Sequence, residues 1–457
     1  MRIDSISIEA LFDTLSNRTN IAIAYDVNAI AHDSLVNVNI TNKHALHIVQ
    51  EVLKHHKVEI SFLNGQIIIG EKEAPEIQKK SLVITGTVYD AQDHQPLPLV
   101  NIAVAGKPLG SITNSQGQYE FKLPPSYTGE ELTFSFLGYN SHTLTIPGND
   151  SLIEVHMHPT SIRLAEVEVS YKDPNIIIDK VRSHQSLNYF DEQTLLEGFF
   201  RETIQQDGHY VQVSEAIVHI LKPGYMRPAN LERVKFIKGR KKNDLQQMNF
   251  VDFKLEGGPF QFSRIDIARY QDFYPDDNQL YKYVYDGMAV LNDELVYKIR
   301  FRPINDNGDL LYSGILYVHT QHFTLLRSEF QLTRKALKSS GKTLIRKTSG
   351  KIKVKPLQAT YFIDYRSLNT KWIVNRVRGE VVIKINDKRQ RINSVFTAVS
   401  ELLISDCEIN KQYKFKPSER YKSNYVLSDQ ITETDQEFWK DYNIIRPDEA
   451  LESVFKK

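Results

Sequence analysis

The histidines are the residues of this sequence that could hold a metal ion. His56 and Glu59 form the one His-x-x-Glu sequence, the spacing with which zinc peptidases place two ligands on one rigid element. About one such match is expected by chance in a chain with 14 histidines, so it does not by itself indicate a site. We interpret the histidines as surface or core-edge residues and predict neither a metal nor a cofactor. Three further pairs have the spacing of metal ligands: His44 and His47, His156 and His158, and His319 and His322.

Nucleophilic and phosphate-binding motifs are the second kind of chemistry to consider. Cys407 stands between Asp406 and Glu408, whose negative charges would raise the pKa of its thiol. The sequence contains no Gly-x-Ser-x-Gly motif, no phosphate-binding loop and no Gly-x-Gly-x-x-Gly. We predict no catalytic residue and a protein that is not an enzyme. The alternative is a hydrolase acting on peptides or glycans, for which the suitable strand-borne acids are Glu202, Glu215, Asp364 and Glu380.

Basic residues are densest between Lys235 and Lys242, and a second basic zone covers residues 346–355. Such residues could meet anionic glycans or lipid headgroups, at roughly 1 kcal/mol per residue close to an anionic surface. A solvated loop or the wet face of a strand carries the same composition, and we favour that interpretation. The candidate patch for an anionic partner consists of Lys235, Lys238, Arg240, Lys241 and Lys242.

Tyrosines alternate with other residues in two strand-like segments, 281–285 and 361–365. Alternation places the aromatic rings on one face of a strand. Such a face stacks on sugar rings, and it also packs well inside large sheets, which we favour. If the chain has an aromatic ligand groove, it consists of Tyr281, Tyr283, Tyr285, Tyr361 and Tyr365.

The elements that position these residues belong to a chain of balanced charge. It has 457 residues, with 57 Lys and Arg against 56 Asp and Glu, and a formal net charge of +1. This balance excludes a global field that would steer the chain onto nucleic acid. No apolar run approaches the roughly 18 residues of a membrane-spanning helix, and a single cysteine excludes an intrachain disulfide. The 23 Tyr and 22 Phe favour strands, and the length predicts several domains.

Helix and strand signals alternate over the first seventy residues and predict a small α+β module. A helix around Leu11 to Ser16 precedes a strand at Ile23 to Asp26, and a helix around Val49 to Leu53 precedes a hairpin that turns at Asn64-Gly65. Residues 3–70 resemble the secretin and TonB short N-terminal domain, which precedes outer-membrane receptors in the periplasm. The family's first strand normally begins a few residues earlier, which predicts a removed leader and a periplasmic setting.

A polar linker with Pro75 leads to short strands at about ten-residue spacing, the pattern of a β-sandwich. This part of the chain contains the motifs Gly86-Thr87-Val88, Pro98 to Ile102, Gly110 to Phe121 and Phe136-Leu137-Gly138-Tyr139. With these motifs, the stretch from Ile84 to Val169 resembles the carboxypeptidase regulatory-like domain, a transthyretin-like sandwich. In TonB-dependent receptors this sandwich follows the short domain and leads into a plug and a long barrel, for which the rest of this chain is too short. We therefore expect that the chain is not a transporter.

Long alternating strands dominate the remainder, after an amphipathic helix between Asn175 and Tyr189. This pattern predicts a large curved antiparallel sheet or a half-barrel with one buried face. Segments such as Gly198 to Glu202, Tyr312 to Val318 and Asn369 to Trp372 resemble the uncharacterised C-terminal region of envelope proteins that carry the same sandwich. By analogy, the architecture is similar to the half-barrels of periplasmic lipoprotein carriers.

The predicted fold is an α+β N-terminal module, an all-β transthyretin-like sandwich and a large, mainly antiparallel β domain. The predicted domains are residues 1–72, 82–170 and 175–457. The resemblances imply a non-enzymatic protein of the Gram-negative periplasm, associated with the outer membrane. Its partner would be an envelope protein, an outer-membrane transporter or assembly component, with an anionic glycan or lipid headgroup as a further ligand. The alternatives are a periplasmic carrier of lipid or lipoprotein and the envelope hydrolase introduced above.

Overall fold

The computed structural model contains two compact units, residues 1–80 and residues 81–457. The predicted fold class is confirmed: an α+β module, a β-sandwich and a large antiparallel sheet follow one another along the chain. The second unit contains both the sandwich and the large sheet. No helix among the described residues is long and apolar enough to cross a membrane. The structure describes residues 2–19, 21–25, 30, 32–39, 44–54, 56, 58–63, 66–71, 81–160, 173–228, 231–243, 258–269, 280–306, 311–340, 353–387, 392–409, 412–432, 439 and 442–456.

The first unit packs two helices against short strands. Its first helix buries Ile8, Leu11, Phe12 and Leu15, the spacing of one helical face. One sheet has two strands, β1 and β3, and the other has the order β2-β5-β4. The predicted closing hairpin is confirmed by antiparallel pairing of β4 and β5, while its Asn64-Gly65 turn lies outside the described residues. The elements are β1 (Arg2–Ser7), α1 (Ile8–Thr19), β2 (Ala22–Tyr25), β3 (Leu35–Asn39), α2 (Ala45–Val52), β4 (Val58–Leu63) and β5 (Gln66–Glu71).

The sandwich consists of two small sheets around one core. One sheet has the order β11-β10-β7-β8, and in the other the central strand β6 pairs with β9, β12 and β13. Strand β6 alternates buried and half-buried residues along its whole length, because one of its faces meets the opposite sheet. The strands are β6 (Leu82–Asp90), β7 (Asn101–Val104), β8 (Gly110–Ile112), β9 (Gln118–Leu123), β10 (Glu131–Ser135), β11 (His142–Thr145), β12 (Ser151–Leu152) and β13 (Val155–Met157).

The large sheet has ten strands in the order β16-β15-β14-β23-β22-β21-β20-β19-β18-β17, and each neighbouring pair is antiparallel. It is an open sheet whose edge strands are β16 and β17. The strands are β14 (Thr194–Gln206), β15 (His209–Lys222), β16 (Arg233–Asn243), β17 (Tyr281–Leu291), β18 (Glu294–Pro303), β19 (Tyr312–His319), β20 (Leu325–Leu332), β21 (Lys353–Leu368), β22 (Lys371–Asp387) and β23 (Ile392–Ile409).

One face of this sheet, which we call the inner face, is covered by all the helices of the second unit given below except the last, which belongs to the C-terminal segment. Phe200, Tyr365 and Leu402 of the sheet share a single hydrophobic cluster with Ile177 and Val181 of the first covering helix. That helix begins at Pro174, and the Asp173 side chain accepts a hydrogen bond from the Asn175 amide at its N-terminus. The helices are α3 (Pro174–Ser183), α4 (Gln185–Asn188), α5 (Gly258–Arg264), α6 (Arg334–Ser339), α7 (Leu427–Gln430) and α8 (Glu449–Lys456).

The opposite face, the outer face, holds the sandwich and the C-terminal segment, whose described residues are 439 and 442–456. Phe199 and Leu403 of the sheet pack in one cluster with Ile112 of the sandwich and with Trp439 and Ile445 of the segment. Leu137, from the turn that carries part of the regulatory-like signature, packs against the β17–β18 hairpin. In the same turn, Gly138 donates its amide to the Val290 carbonyl at 3.0 Å. Sandwich and sheet are therefore joined at several separate places.

Candidate functional site

The inner face is filled by the chain's own side chains. The segment after α5 places Asp266 against the sheet, where its carboxylate accepts hydrogen bonds from the hydroxyls of Tyr365 (2.8 Å) and Tyr225 (2.9 Å) and lies 2.8 Å from the Lys222 ammonium. Asp266 is 1% exposed, so this is a buried ion pair with further hydrogen bonds to the carboxylate. A carrier of lipid would need an apolar cavity here, and in the described residues this face is packed instead.

An open cleft of about 680 Å³ lies at one end of the sheet. Antiparallel pairing brings the start of β14, the end of β15 and the start of β16 to the same place, because Thr194 pairs with Lys222 and Leu221 pairs with Arg233. We call it the end cleft. Its walls are Asp191, Glu192, Gln193, Pro223, Gly224, Arg227, Leu231 and Arg233.

The two walls of the end cleft touch at Gly224. The Tyr225 amide donates to the Phe190 carbonyl at 2.9 Å, and a Cβ added at Gly224 would lie 1.8 Å from the carbonyl oxygen of Asp191. Only glycine fits this approach of one backbone to another. Behind it, Phe190, Tyr225 and Ile373 form an apolar wall.

A buried arginine fixes the second wall. Arg269 donates to the carbonyls of Pro223 (2.6 Å), Pro228 (3.0 Å) and Arg227 (3.2 Å), and its guanidinium lies 3.5 Å from the buried Glu232 carboxylate. Charge-assisted hydrogen bonds of this kind hold a backbone segment in one conformation. The wall is therefore positioned before any ligand arrives.

The end cleft presents both signs of charge. Asp191 and Glu192 lie on one wall, and Arg227 and Arg233 lie on the other. Asp191 and Arg227 are exposed, so both can reach a ligand. An arrangement of carboxylates opposite guanidinium groups suits a ligand that itself carries both charges, such as a polar peptide segment. The sequence interpretation missed this site; the turn signal Pro223-Gly224 directly after a long strand was the available indication.

The predicted basic patch lies on strand β16 and divides between the two faces. Ile237 is the extra residue of a β-bulge, so Lys235, Lys238, Arg240 and Lys242 pair with the outer-face residues of β15. Lys241 lies on the inner face and donates to the Ser428 carbonyl at 2.6 Å. Lys235 forms an ion pair with Glu419 at 2.7 Å. Binding of an anionic partner at Lys238 and Lys242 stays a prediction.

Arg240 has a different environment from the other basic residues. Its guanidinium lies 2.6 Å from the buried Glu215 carboxylate and stands over the rings of Trp439 and Phe455. Glu215 is also bound by Arg201, at 2.6 Å. The structure therefore uses Arg240 to attach the C-terminal segment to the outer face.

The five predicted aromatic residues lie together on the inner face. Tyr281, Tyr283 and Tyr365 are at most 4% exposed and belong to its hydrophobic cluster, while Tyr285 and Tyr361 pack against that cluster. Burial raises the pKa of the Tyr361 hydroxyl. In this arrangement the rings are core side chains rather than walls of an open groove.

The acids considered for a hydrolase do not converge. Glu202 lies on the inner face, opposite Ser400 in the register, whereas Glu215 and Asp364 lie on the outer face and are paired with arginines. Glu380 is paired with Arg378 at 3.0 Å on that same face. These carboxyls therefore lie in separate environments rather than around one cleft.

Cys407 is buried at the end of β23. Burial raises the pKa of its thiol to about 12, and Asp406 and Glu408 add to the rise.

His319 accepts hydrogen bonds from the amides of Gln321 and His322 on one ring nitrogen, and its other ring nitrogen lies 3.2 Å from Glu294. Its contacts therefore hold the turn between β19 and β20.

Comparison with known proteins identifies the sandwich. Residues 84–169 match the family model of the CarboxypepD_reg-like domain, which confirms the predicted regulatory-like module. No curated protein matches the chain.

Solved structures resemble the chain only weakly. A domain described as an outer membrane lipoprotein-sorting protein, from Vibrio parahaemolyticus, has 8% identity and a TM-score of 0.26, over 53% of this chain and 95% of that one. A DUF1329 family protein from Desulfovibrio piger has 14% identity and a TM-score of 0.24, over 54% and 99%. MucB of Pseudomonas aeruginosa, solved in complex with MucA, has 10% identity and a TM-score of 0.16, over 52% and 99%. Scores of this size carry no functional argument.

Proposed function

We propose that this chain is a non-enzymatic protein of the bacterial periplasm that binds a partner protein of the outer membrane, a transporter or assembly component, at the end cleft. The observation that supports it most directly is the mixed charge of that cleft, together with the hydrogen bonds by which Arg269 holds its second wall. A preformed cleft loses little conformational entropy on binding, and opposed charges select for orientation and partner.

The ligand in this proposal is an extended polar segment of the partner. Carboxylates on one wall and arginines on the other would receive basic and acidic side chains of the segment, and Leu231 adds a small apolar contact to the lining. Both walls come from segments adjoining the ends of sheet strands, so the site has a rigid base.

The regulatory-like sandwich would act as a docking module at a fixed position. It is attached to the outer face through the Leu137 turn, through Ile112 and through Arg366, which donates to the carbonyls of Lys107 and Pro108. An anchored sandwich would hold the end cleft at a defined distance from whatever the sandwich itself contacts. The periplasmic setting in this proposal is supported by the resemblance of this module and of residues 3–70 to those of outer-membrane receptors.

The experiment is chemical cross-linking and affinity purification of the tagged chain from native membranes. We expect one envelope protein to be captured by the wild type and lost from a variant carrying Arg227→Glu and Arg233→Glu, because reversed charge repels the acidic side chains of the segment. Arg302→Glu is the matched control, since Arg302 is an exposed arginine away from the cleft. The proposal fails if the charge-reversed variant and the control capture the same proteins, or if the native protein fractionates with the cytoplasm.

The two alternatives have less support from the geometry. A lipid carrier needs an apolar cavity, and Asp266 with its partners occupies the described part of the inner face. A hydrolase needs two acids or a metal triad around one cleft, and Glu202 and Glu215 lie on opposite faces of the sheet. Binding therefore remains the function that the end cleft supports best.

A further inference from the structure

The inner face carries one buried polar row between two apolar clusters. Phe200 belongs to the larger cluster, and Ile204, four residues further along β14, belongs to a second cluster near α6. Between them, Glu202 pairs directly with Ser214 on β15 and with Ser400 on β23. The three side chains are at most 2% exposed and lie side by side on three adjacent strands.

Several polar atoms in and beside this row have no hydrogen-bond partner among the described residues. Both carboxylate oxygens of Glu202, the hydroxyl of Ser214 and the hydroxyl of the overlying Tyr421 are unpaired. The side-chain nitrogen of Gln212, Nε2, is also unpaired; Gln212 is the next inner-face residue along β15. Buried polar groups in native proteins are nearly always paired with protein, water or an ion. Several groups in one place without a protein partner therefore indicate bound water or a bound ion.

The electrostatics of the row indicate which charge a bound ion would carry. Burial raises the pKa of Glu202 to about 8, and the neighbouring Ser400 hydroxyl offsets part of the rise. Lys241 lies beyond Ser214 on the same face, but its ammonium donates to the Ser428 carbonyl at 2.6 Å. Burial and the charges of Glu202 and Asp429 raise the pKa of Tyr421, so its hydroxyl stays neutral. Among the described residues no cation forms an ion pair with Glu202.

We propose that Glu202, Ser214, Ser400 and Tyr421 form an internal binding site for a monovalent cation such as Na⁺ or K⁺. Carboxylate and hydroxyl oxygens are ligands for hard cations rather than for zinc or copper. One carboxylate neutralises one positive charge, so a monovalent ion leaves no net charge in the buried site. The cation binds the ionised carboxylate and therefore competes with the proton on Glu202.

The test measures thermal unfolding of the full chain in NaCl and KCl, followed by tryptophan fluorescence. Both tryptophans, Trp372 and Trp439, lie in the second unit and report its unfolding. Choline chloride at equal ionic strength is the control for screening. We expect a saturable rise of the melting temperature with Na⁺ or K⁺, and an apparent affinity that weakens about tenfold for each pH unit below 8, because one proton must leave.

Two variants separate the site from general salt effects. Glu202→Gln keeps the side-chain shape without the charge and should remove the saturable response. Glu197→Gln, on the same strand with Ser405 as its partner, should keep that response. Ser214→Ala leaves the charge in place and should weaken the cation about fivefold to tenfold, which supplies a test even if Glu202→Gln does not fold.

The proposal is overturned if wild type and Glu202→Gln respond equally to Na⁺ and K⁺, or if choline chloride reproduces the wild-type shift. A saturable response to CaCl₂ without one to Na⁺ or K⁺ would overturn the monovalent assignment. None of these readouts depends on a partner at the end cleft, so failure here and failure of the proposed function are distinguishable.

Discussion

Asn443 binds both backbone groups of Lys122. Its side-chain oxygen accepts a hydrogen bond from the Lys122 amide at 2.7 Å, and its side-chain nitrogen donates to the Lys122 carbonyl at 2.9 Å. The Lys122 ammonium in turn donates to the carbonyls of Trp439 and Tyr442. Because β9 pairs with β6 on its other side, Asn443 satisfies the free edge of β9 as a neighbouring strand would. The C-terminal segment therefore closes the sandwich edge and attaches it to the sheet.

We expect Asn443→Ala to lower the free energy of unfolding of the second unit by about 2–3 kcal/mol. The change leaves the amide and carbonyl of the buried Lys122 unpaired, and each unpaired buried group costs about 1–3 kcal/mol. Urea unfolding followed by tryptophan fluorescence measures the effect. Asn149→Ala, at an exposed loop position, is the control and should change stability by less than about 0.5 kcal/mol. Equal stabilities of the two variants would contradict the assigned role of Asn443.

We expect Glu215→Gln to destabilise the second unit by about 3–5 kcal/mol. Arg201 and Arg240 both bind this fully buried carboxylate, and a neutral amide would leave two largely buried guanidinium groups without a counter-charge. The control is Glu380→Gln, which removes the half-exposed pair with Arg378 and should cost less than about 1 kcal/mol. Urea unfolding of both variants gives the comparison. Similar losses in the two would show that the buried pair has no special role.

The sequence predicted the local elements and the order of the modules. Alternating residues in β6 and the spaced apolar residues of α1 act over a few positions, so their patterns are visible in the chain. The pairing of Asn443 with Lys122 joins residues far apart in the chain, and no local pattern records it. Likewise, the bulge at Ile237 moves Lys235 to the face of Lys238, against simple alternation. The end cleft was missed for the same reason, because its two walls, residues 191–193 and 223–233, lie about thirty residues apart in the chain.

We expect Gly224→Ala to destabilise the second unit by about 3 kcal/mol or more and to distort the end cleft. The added Cβ would overlap the Asp191 carbonyl oxygen, and a clash with backbone cannot be relieved by a side-chain rotation. Gly148→Ala is the matched control, because its Cβ would meet only the Thr128 methyl group at 3.5 Å. Thermal unfolding measures stability, and cross-linking to the envelope partner measures the cleft. Normal stability of Gly224→Ala would mean that the two walls are not in contact in solution.

We expect the stability of the second unit to fall as the pH rises from about 4.5 to 8, partly because of Glu202. Burial raises the folded-state pKa of this carboxyl from 4.5 to about 8, so the folded state holds the proton more tightly than the unfolded state. The stabilisation is complete below pH 4.5 and is lost as the pH rises from 4.5 to about 8. Over this range the free energy of unfolding falls by up to about 1.4 kcal/mol per pH unit.

In a buffer whose only cation is choline, urea unfolding of wild type and Glu202→Gln at a series of pH values tests this expectation. The variant should show a flatter pH dependence and the larger free energy of unfolding at pH 8, because its amide does not ionise in the apolar surroundings. Glu154→Gln, an exposed position, should retain the wild-type slope. If the slopes of all three proteins coincide, Glu202 is not the buried titrating group that the structure places between the two clusters.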